Sequence, residues 1–305
     1  MLFMAKDNMY RVYFICILYL LFLFFDNMEW NHGDRKGHIN GHIKNLSYLE
    51  NDIDAIILGG SNSAFSISAE ILSDKTDQNW YNLSLPNEGY SDNNYRDFIK
   101  KNISRKDKDR IHTIVFSTLK FSRKNHLINR ESYKGNLYGY TYSILKPNQS
   151  ILSYIQKFML RGSFWGGFSY SEPSIYGDFE FSTLKCIPDL NQYFFMENIE
   201  KASDALLEDI IFFKKTFQNA RVIIEFPTEL YEASNFIFIK EYFKKIGERT
   251  LYKLEDVYLD NNTDIFFVET STYVDESYVC DATHHANING REWRTLKLLE
   301  KIISL

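Results

Sequence analysis

Ala55-Ile56-Ile57-Leu58-Gly59-Gly60-Ser61-Asn62-Ser63 is the stretch on which the fold turns. Its first four residues form a short, continuously apolar run, the pattern of a strand buried on both faces rather than on one. A strand of that kind belongs to a parallel sheet covered by helices on either side. Two glycines and a polar Ser61-Asn62-Ser63 follow at once, so hydroxyl and amide groups are delivered to the strand's carboxyl end.

Outward from this stretch, strands and helices alternate. Residues 66–72 suit a helix, 80–83 a second strand, 92–103 a polar helix and 112–117 a third strand. Residues 123–195 break the rhythm. They are rich in Tyr, Phe, Gly and Ser without a clear period, and are expected to form an insertion or cap, with a short helix near 150–160. A structureless loop of that length would be out of place in a compact domain. The rhythm resumes with Ile199, Ala202, Leu206, Ile210, Phe213 and Phe217 at helical spacing. A fourth strand covers 221–226 and stops at Pro227; Phe236, Ile239, Phe243 and Ile246 mark a helix for which Gly247 is a candidate stop. Residues 264–268 read as a fifth strand. The chain closes in a helix after Gly290, with Trp293, Leu296, Leu299 and Ile303 expected on its inner side. The expected fold is α/β: a doubly wound, parallel, five-stranded sheet with helices on both faces.

Composition narrows the setting. With 305 residues the chain accommodates one large domain with an insertion. The net charge of −5 gives no reason to expect nucleic acid, since a phosphate-binding surface needs clustered cations. Lys6 and Arg11 precede an apolar run over 12–25, flanked by Asp26, Asn27 and Glu29 with no small-residue cleavage site. An uncleaved signal anchor within 1–30 is therefore expected, with the following chain outside the cytoplasmic membrane. Residues 31–50 read as a polar tether and 51–305 as the main domain. His32, His38 and His42 lie in the tether, but Gly33, Gly37 and Gly41 weaken any helix there, and no metal site is expected. Cys186 and Cys280 are one conceivable disulfide pair; the alternative is two partly buried thiols.

In such a sheet ligands bind beyond the carboxyl ends of the strands. Ser61 and Ser63 arrive there from the first strand, Asn87 and Gly89 from the second, and Asp281, His284 and His285 from the fifth. A serine hydroxyl is a poor nucleophile until a base takes its proton, and the base needs an acid to orient it. Ser63 is expected to cap the following helix or to bond nearby backbone.

Leu58-Gly59-Gly60-Ser61 resembles the first sequence block of the SGNH, or GDSL, hydrolase superfamily, with Gly60 where aspartate is usual. Asn82-Leu83-Ser84, ending in Gly89, resembles the second. Residues 280–291 resemble the last, in which an aspartate precedes the histidine and a glycine follows. The resemblance covers 54–122 and 198–303 and leaves out the cap. It implies Ser61 as nucleophile, Asp281 as orienting acid and a neighbouring histidine as base. Spacing from Asp281 selects His284; the trailing histidine-x-asparagine-x-x-glycine pattern selects His285, which is preferred, with His284 as the alternate.

The third block's oxyanion-binding asparagine is absent from Phe116-Ser117-Thr118-Leu119. Oxyanion stabilisation would then rest on the Ser61 and Gly89 N–H groups, with Asn87, Ser117 and Thr118 as further oxyanion or substrate candidates. Joined to an anchor, this resemblance implies acyl transfer, commonly of acetyl, onto or off a cell-surface polysaccharide. It requires an acyl donor and acceptor and no cofactor, and some such proteins work beside a multi-pass membrane acyltransferase. The competing expectations are a simple carboxylesterase and a degenerate, non-catalytic glycan-binding or scaffold protein.

Overall fold

The computed structural model describes residues 35–49, 52–85, 94–118, 173–179, 198–230, 236–257, 264–268, 272–273, 275–280 and 285–305. Five parallel strands form the main sheet: β1 (Ala55–Gly59), β2 (Trp80–Asn82), β3 (Thr113–Ser117), β4 (Arg221–Glu225) and β6 (Ile265–Val268), in the order β2-β1-β3-β4-β6. β5 (Glu229–Leu230) and β7 (Thr272–Tyr273) make a separate parallel pair. The doubly wound sheet expected from the sequence is thus present, with all five of its strands where the apolar runs place them.

Register explains how the two faces are filled. Ile56 pairs with Tyr81 and Ile114, and Ile57 with Asn82 and Val115. Because side chains alternate across a strand, Ile56, Leu58, Ile114, Phe116, Val222 and Ile224 share one core. Ala55, Ile57, Val115 and Ile223 share the other. The first core is covered by α1 (Arg35–Tyr48), α4 (Asn94–Asn102), α6 (Ile199–Thr216) and α7 (Phe236–Glu255). The second is covered by α3 (Ala69–Lys75) and α8 (Ile288–Ser304), which contribute Leu72, Leu298, Leu299 and Ile302. Two short helices complete the described set: α2 (Ser61–Ser66), directly after β1, and α5 (Arg105–Arg110).

The structure corrects three sequence expectations. Residues 35–48 of the supposed tether form α1, whose Leu46 joins the core and whose His42 is fully buried, with its Nδ1 2.8 Å from the Tyr81 hydroxyl. Burial pushes the Tyr81 phenol far above its ordinary value, so it stays protonated and able to donate. Tertiary burial outweighs the weak helix propensity of the local glycines. Next, α7 does not stop at Gly247 but runs to Glu255, because buried Thr250 and Leu254 extend its inner face. Finally, the inner face of α8 carries Arg294, Thr295, Leu298, Leu299 and Ile302, while Leu296 and Ile303 are exposed. An apolar-periodicity reading misplaces that face because a fully buried arginine lies on it.

Of the stretch 123–195, read from the sequence as an insertion, residues 173–179 are described, and they pack beside β2 and α3. The Tyr176 carbonyl accepts from Asn82 N–H at 2.8 Å, beside the edge strand β2. Gly177 has φ +77°, and a Cβ there would lie 2.3 Å from the Asn82 carbonyl oxygen. Asp178 is buried; its carboxylate accepts from Ser68 Oγ (2.7 Å), Ala69 N (2.8 Å), Glu70 N (3.0 Å) and Asn82 Nδ2 (3.4 Å). A residue from the insertion therefore caps the first turn of α3.

Candidate active site

β1 ends at Gly59, which lies against β3 so closely that a Cβ would sit 1.8 Å from the Ser117 carbonyl oxygen. That approach folds the chain sharply into α2 and leaves Ser61 at its first position, with only 8% of its surface exposed. The Ser63 hydroxyl is shared between the carbonyls of Gly60 (3.0 Å) and Ser117 (3.1 Å), so it braces the turn by bonding backbone.

His285 arrives from the opposite end of the chain. A 3-10 turn, Glu276–Tyr278, is capped by Asp275, whose carboxylate accepts from Ser277 N and is held below its ordinary pKa by that bond. An antiparallel bridge then joins Val279 to Ala286. The His285 carbonyl accepts from Cys280 N at 2.7 Å, and Ala286 N donates to Ser66 Oγ at 3.2 Å. Asn287 caps α8, accepting from Asn289 N and Gly290 N at 3.0 Å each. The histidine is thus pinned on both sides, and its Nε2 lies 3.0 Å from Ser61 Oγ. At that distance an unprotonated Nε2 can take the serine proton. Phe65 meets the imidazole edge to face at 4.9 Å, and Phe179 meets Phe65 in the same way at 4.8 Å. Phe179 therefore reaches the His285 ring through two aromatic contacts. Arg291 bonds the Phe179 carbonyl at 2.6 Å, and burial holds its guanidinium below the ordinary arginine value.

Other sequence candidates fall differently. Asp281, His284, Asn87 and Gly89 lie outside the described residues. Ser117 is corrected: it is fully buried, and its Oγ accepts from Asn62 Nδ2 (3.1 Å) and Arg294 Nη2 (3.0 Å). It lies beneath the turn rather than at a substrate-facing rim. Thr118 is likewise buried, with 4% of its surface exposed. Glu225, the last residue of β4, is buried and paired with Arg294. Arg294 carries no sequence signal, since nothing in a single sequence distinguishes a buried arginine from an exposed one. Asn82, in the stretch resembling the second block, is buried; its Nδ2 donates to the Ile67 carbonyl at 2.9 Å, and its Oδ1 accepts from Ser84 N. Cys280 is disulfide-bonded, and Cys16 and Cys186 lie outside the described residues.

Among the described residues no helix is long and apolar enough to cross a membrane; the run at 12–25 lies outside them. No protein-family profile and no curated protein matches the chain. Solved structures do. A family two carbohydrate esterase from Clostridium thermocellum, in complex with cellohexaose, shares 9% identity over 82% of this chain, with a TM-score of 0.44. An acetyl xylan esterase from the rumen bacterium Butyrivibrio proteoclasticus shares 10% identity over 82%, with a TM-score of 0.39. This chain spans 63% of the length of each. At such identity the likeness to these esterases is one of fold alone.

Proposed function

We propose that this chain is a serine-dependent acyl-transfer enzyme, an O-acetyltransferase or acetylesterase acting on a cell-surface polysaccharide. The observation that carries the reading is the 3.0 Å approach of His285 Nε2 to Ser61 Oγ at the carboxyl end of the sheet. Those two residues are 224 positions apart in the chain. In the proposed mechanism His285 removes the Ser61 proton as the hydroxyl oxygen attacks an acyl carbonyl. Asp281, through its place in the last block, would hold the imidazole. The tetrahedral intermediate collapses to an acyl-serine, the leaving alcohol taking the proton from His285. A sugar hydroxyl or water, deprotonated by the same base, then accepts the acyl group and frees Ser61.

The setting is part of the proposal. The apolar run at 12–25 would act as a single-pass anchor with the catalytic domain extracytoplasmic, and a disulfide at Cys280 fits an oxidising compartment. A multi-pass membrane acyltransferase is the proposed acyl source. The test is Ser61→Ala, scored on aryl acetate turnover and on the acetyl content of the surface glycan. Loss of either is expected; if both are unchanged, the proposal fails.

One observation favours a second reading. Ser117 is fully buried and its Oγ accepts from Asn62 and Arg294 beneath the turn, so it does not face a substrate as an oxyanion donor. Losing one such donor removes about 3 kcal/mol of transition-state stabilisation, which suits a glycan-binding protein that has given up catalysis. Fluorophosphonate separates the readings, because only an activated Ser61 reacts with it.

A further inference from the structure

Arg294 is the largest fully buried side chain among the described residues, and its surroundings are polar. Its Nε and Nη2 donate to the two Glu225 carboxylate oxygens, Nη2 also reaches Ser117 Oγ at 3.0 Å, and Nη1 donates to the Asn62 carbonyl at 2.9 Å. These acceptors have a common origin. Ser117 ends β3, Glu225 ends β4, and Asn62 directly follows Ser61 after β1. Arg294 lies on α8, the helix whose cap begins two residues after His285. One guanidinium therefore ties the turn that carries the serine to the helix that anchors the histidine.

We propose that Arg294 is a positioning residue for the Ser61–His285 pair, with Glu225 as the counter-ion that orients it. The inference rests on the acyl-transfer reading for its kinetic consequences. Its physical ground is that a buried ion pair is a poor source of stability: apolar side chains of similar volume often serve as well or better. What the planar fork supplies, and a lysine cannot, is several donors held in fixed directions at once. Here those directions point to the ends of three strands, which fixes the height and tilt of the nucleophile's turn against α8.

The experiment uses the full-length chain carrying Arg294→Met with Glu225→Met, and separately Glu225→Gln, in case the double variant does not fold. Wild type and Ser61→Ala are run alongside. Aryl acetate kinetics give one readout. A displacement of about 1 Å at the reacting atoms lowers turnover on the order of 100-fold, so kcat is expected to fall by about that factor while KM stays within about twofold. Histidine 15N resonances give the other. The difference in His285 Nε2 shift between wild type and Ser61→Ala reports their hydrogen bond, and it is expected to vanish in either folded variant. A folded variant that keeps the wild-type Nε2 shift, or keeps kcat within about threefold, overturns the inference. If wild type shows no Ser61-dependent turnover, the acyl-transfer reading falls, and the positioning role is judged on the resonance alone.

Discussion

Replacing Asp178 by asparagine should loosen the insertion from the main domain by a measurable amount. The native carboxylate divides its acceptors: Oδ2 takes Ser68 Oγ and Glu70 N, while Oδ1 takes Ala69 N and Asn82 Nδ2. An amide of the same shape offers one oxygen. Turned to keep Ala69 N and Asn82 Nδ2, it points its own N–H groups at Glu70 N, which loses its acceptor. The Ser68 hydroxyl escapes part of the penalty by reversing to accept from the new amide. The loss of one charge-assisted hydrogen bond costs about 1.5–3 kcal/mol. Removing a negative charge from the first turn of α3 adds ~0.3–1 kcal/mol. The expected destabilisation is therefore about 2–4 kcal/mol. Equilibrium urea unfolding followed by tryptophan fluorescence measures it, since Trp80 is buried in β2 two residues from Asn82. The midpoint should fall with the slope unchanged. A loss below about 0.5 kcal/mol, the scatter expected of an ordinary surface substitution, would refute the claim that this carboxylate is a structural cap.

Two further outcomes follow from the same geometry. Gly59→Ala would put a methyl 1.8 Å from the Ser117 carbonyl oxygen and 2.4 Å from Ser63 Oγ. Thermal unfolding should show a loss of about 3 kcal/mol, the upper end of overpacking, and an unchanged melting temperature would contradict the close approach. For Asp54, burial is the largest single influence and raises its pKa, but the Asn79 N–H and Arg110 together outweigh it and leave the carboxyl below its ordinary value. Its contribution to stability is thus complete above the unfolded pKa of about 4 and is lost as pH falls through the lower folded value. The urea midpoints of wild type and Asp54→Asn should differ at neutral pH and converge below about pH 4; a constant gap would count against the linkage.

Much of this architecture is legible in single residues. Apolar runs such as Ala55-Ile56-Ile57-Leu58, rich in β-branched residues and too short for a buried helix, favour a strand buried on both sides, so the number and sequence positions of the sheet strands could be read without coordinates. The pattern after His285 is readable for a related reason. Asn287 caps a helix, and Gly290 leaves room for the Tyr278 carbonyl oxygen, which a Cβ would approach to 2.0 Å. Local backbone demands of that kind leave a mark on residue type.

Only tertiary structure decided the rest, because the deciding energies come from partners far apart in the chain. His42 is buried because Tyr81 is there to meet its ring. Asp178, in a stretch without period, is a helix cap because α3 begins beside it. The inner face of α8 is set by an arginine, whose burial is tolerable only with Glu225 across from it, 69 positions away. Sequence by itself brought serine and histidine to one rim of an α/β sheet. The 3.0 Å between Ser61 and His285, and the buried guanidinium beneath the serine's turn, are products of packing.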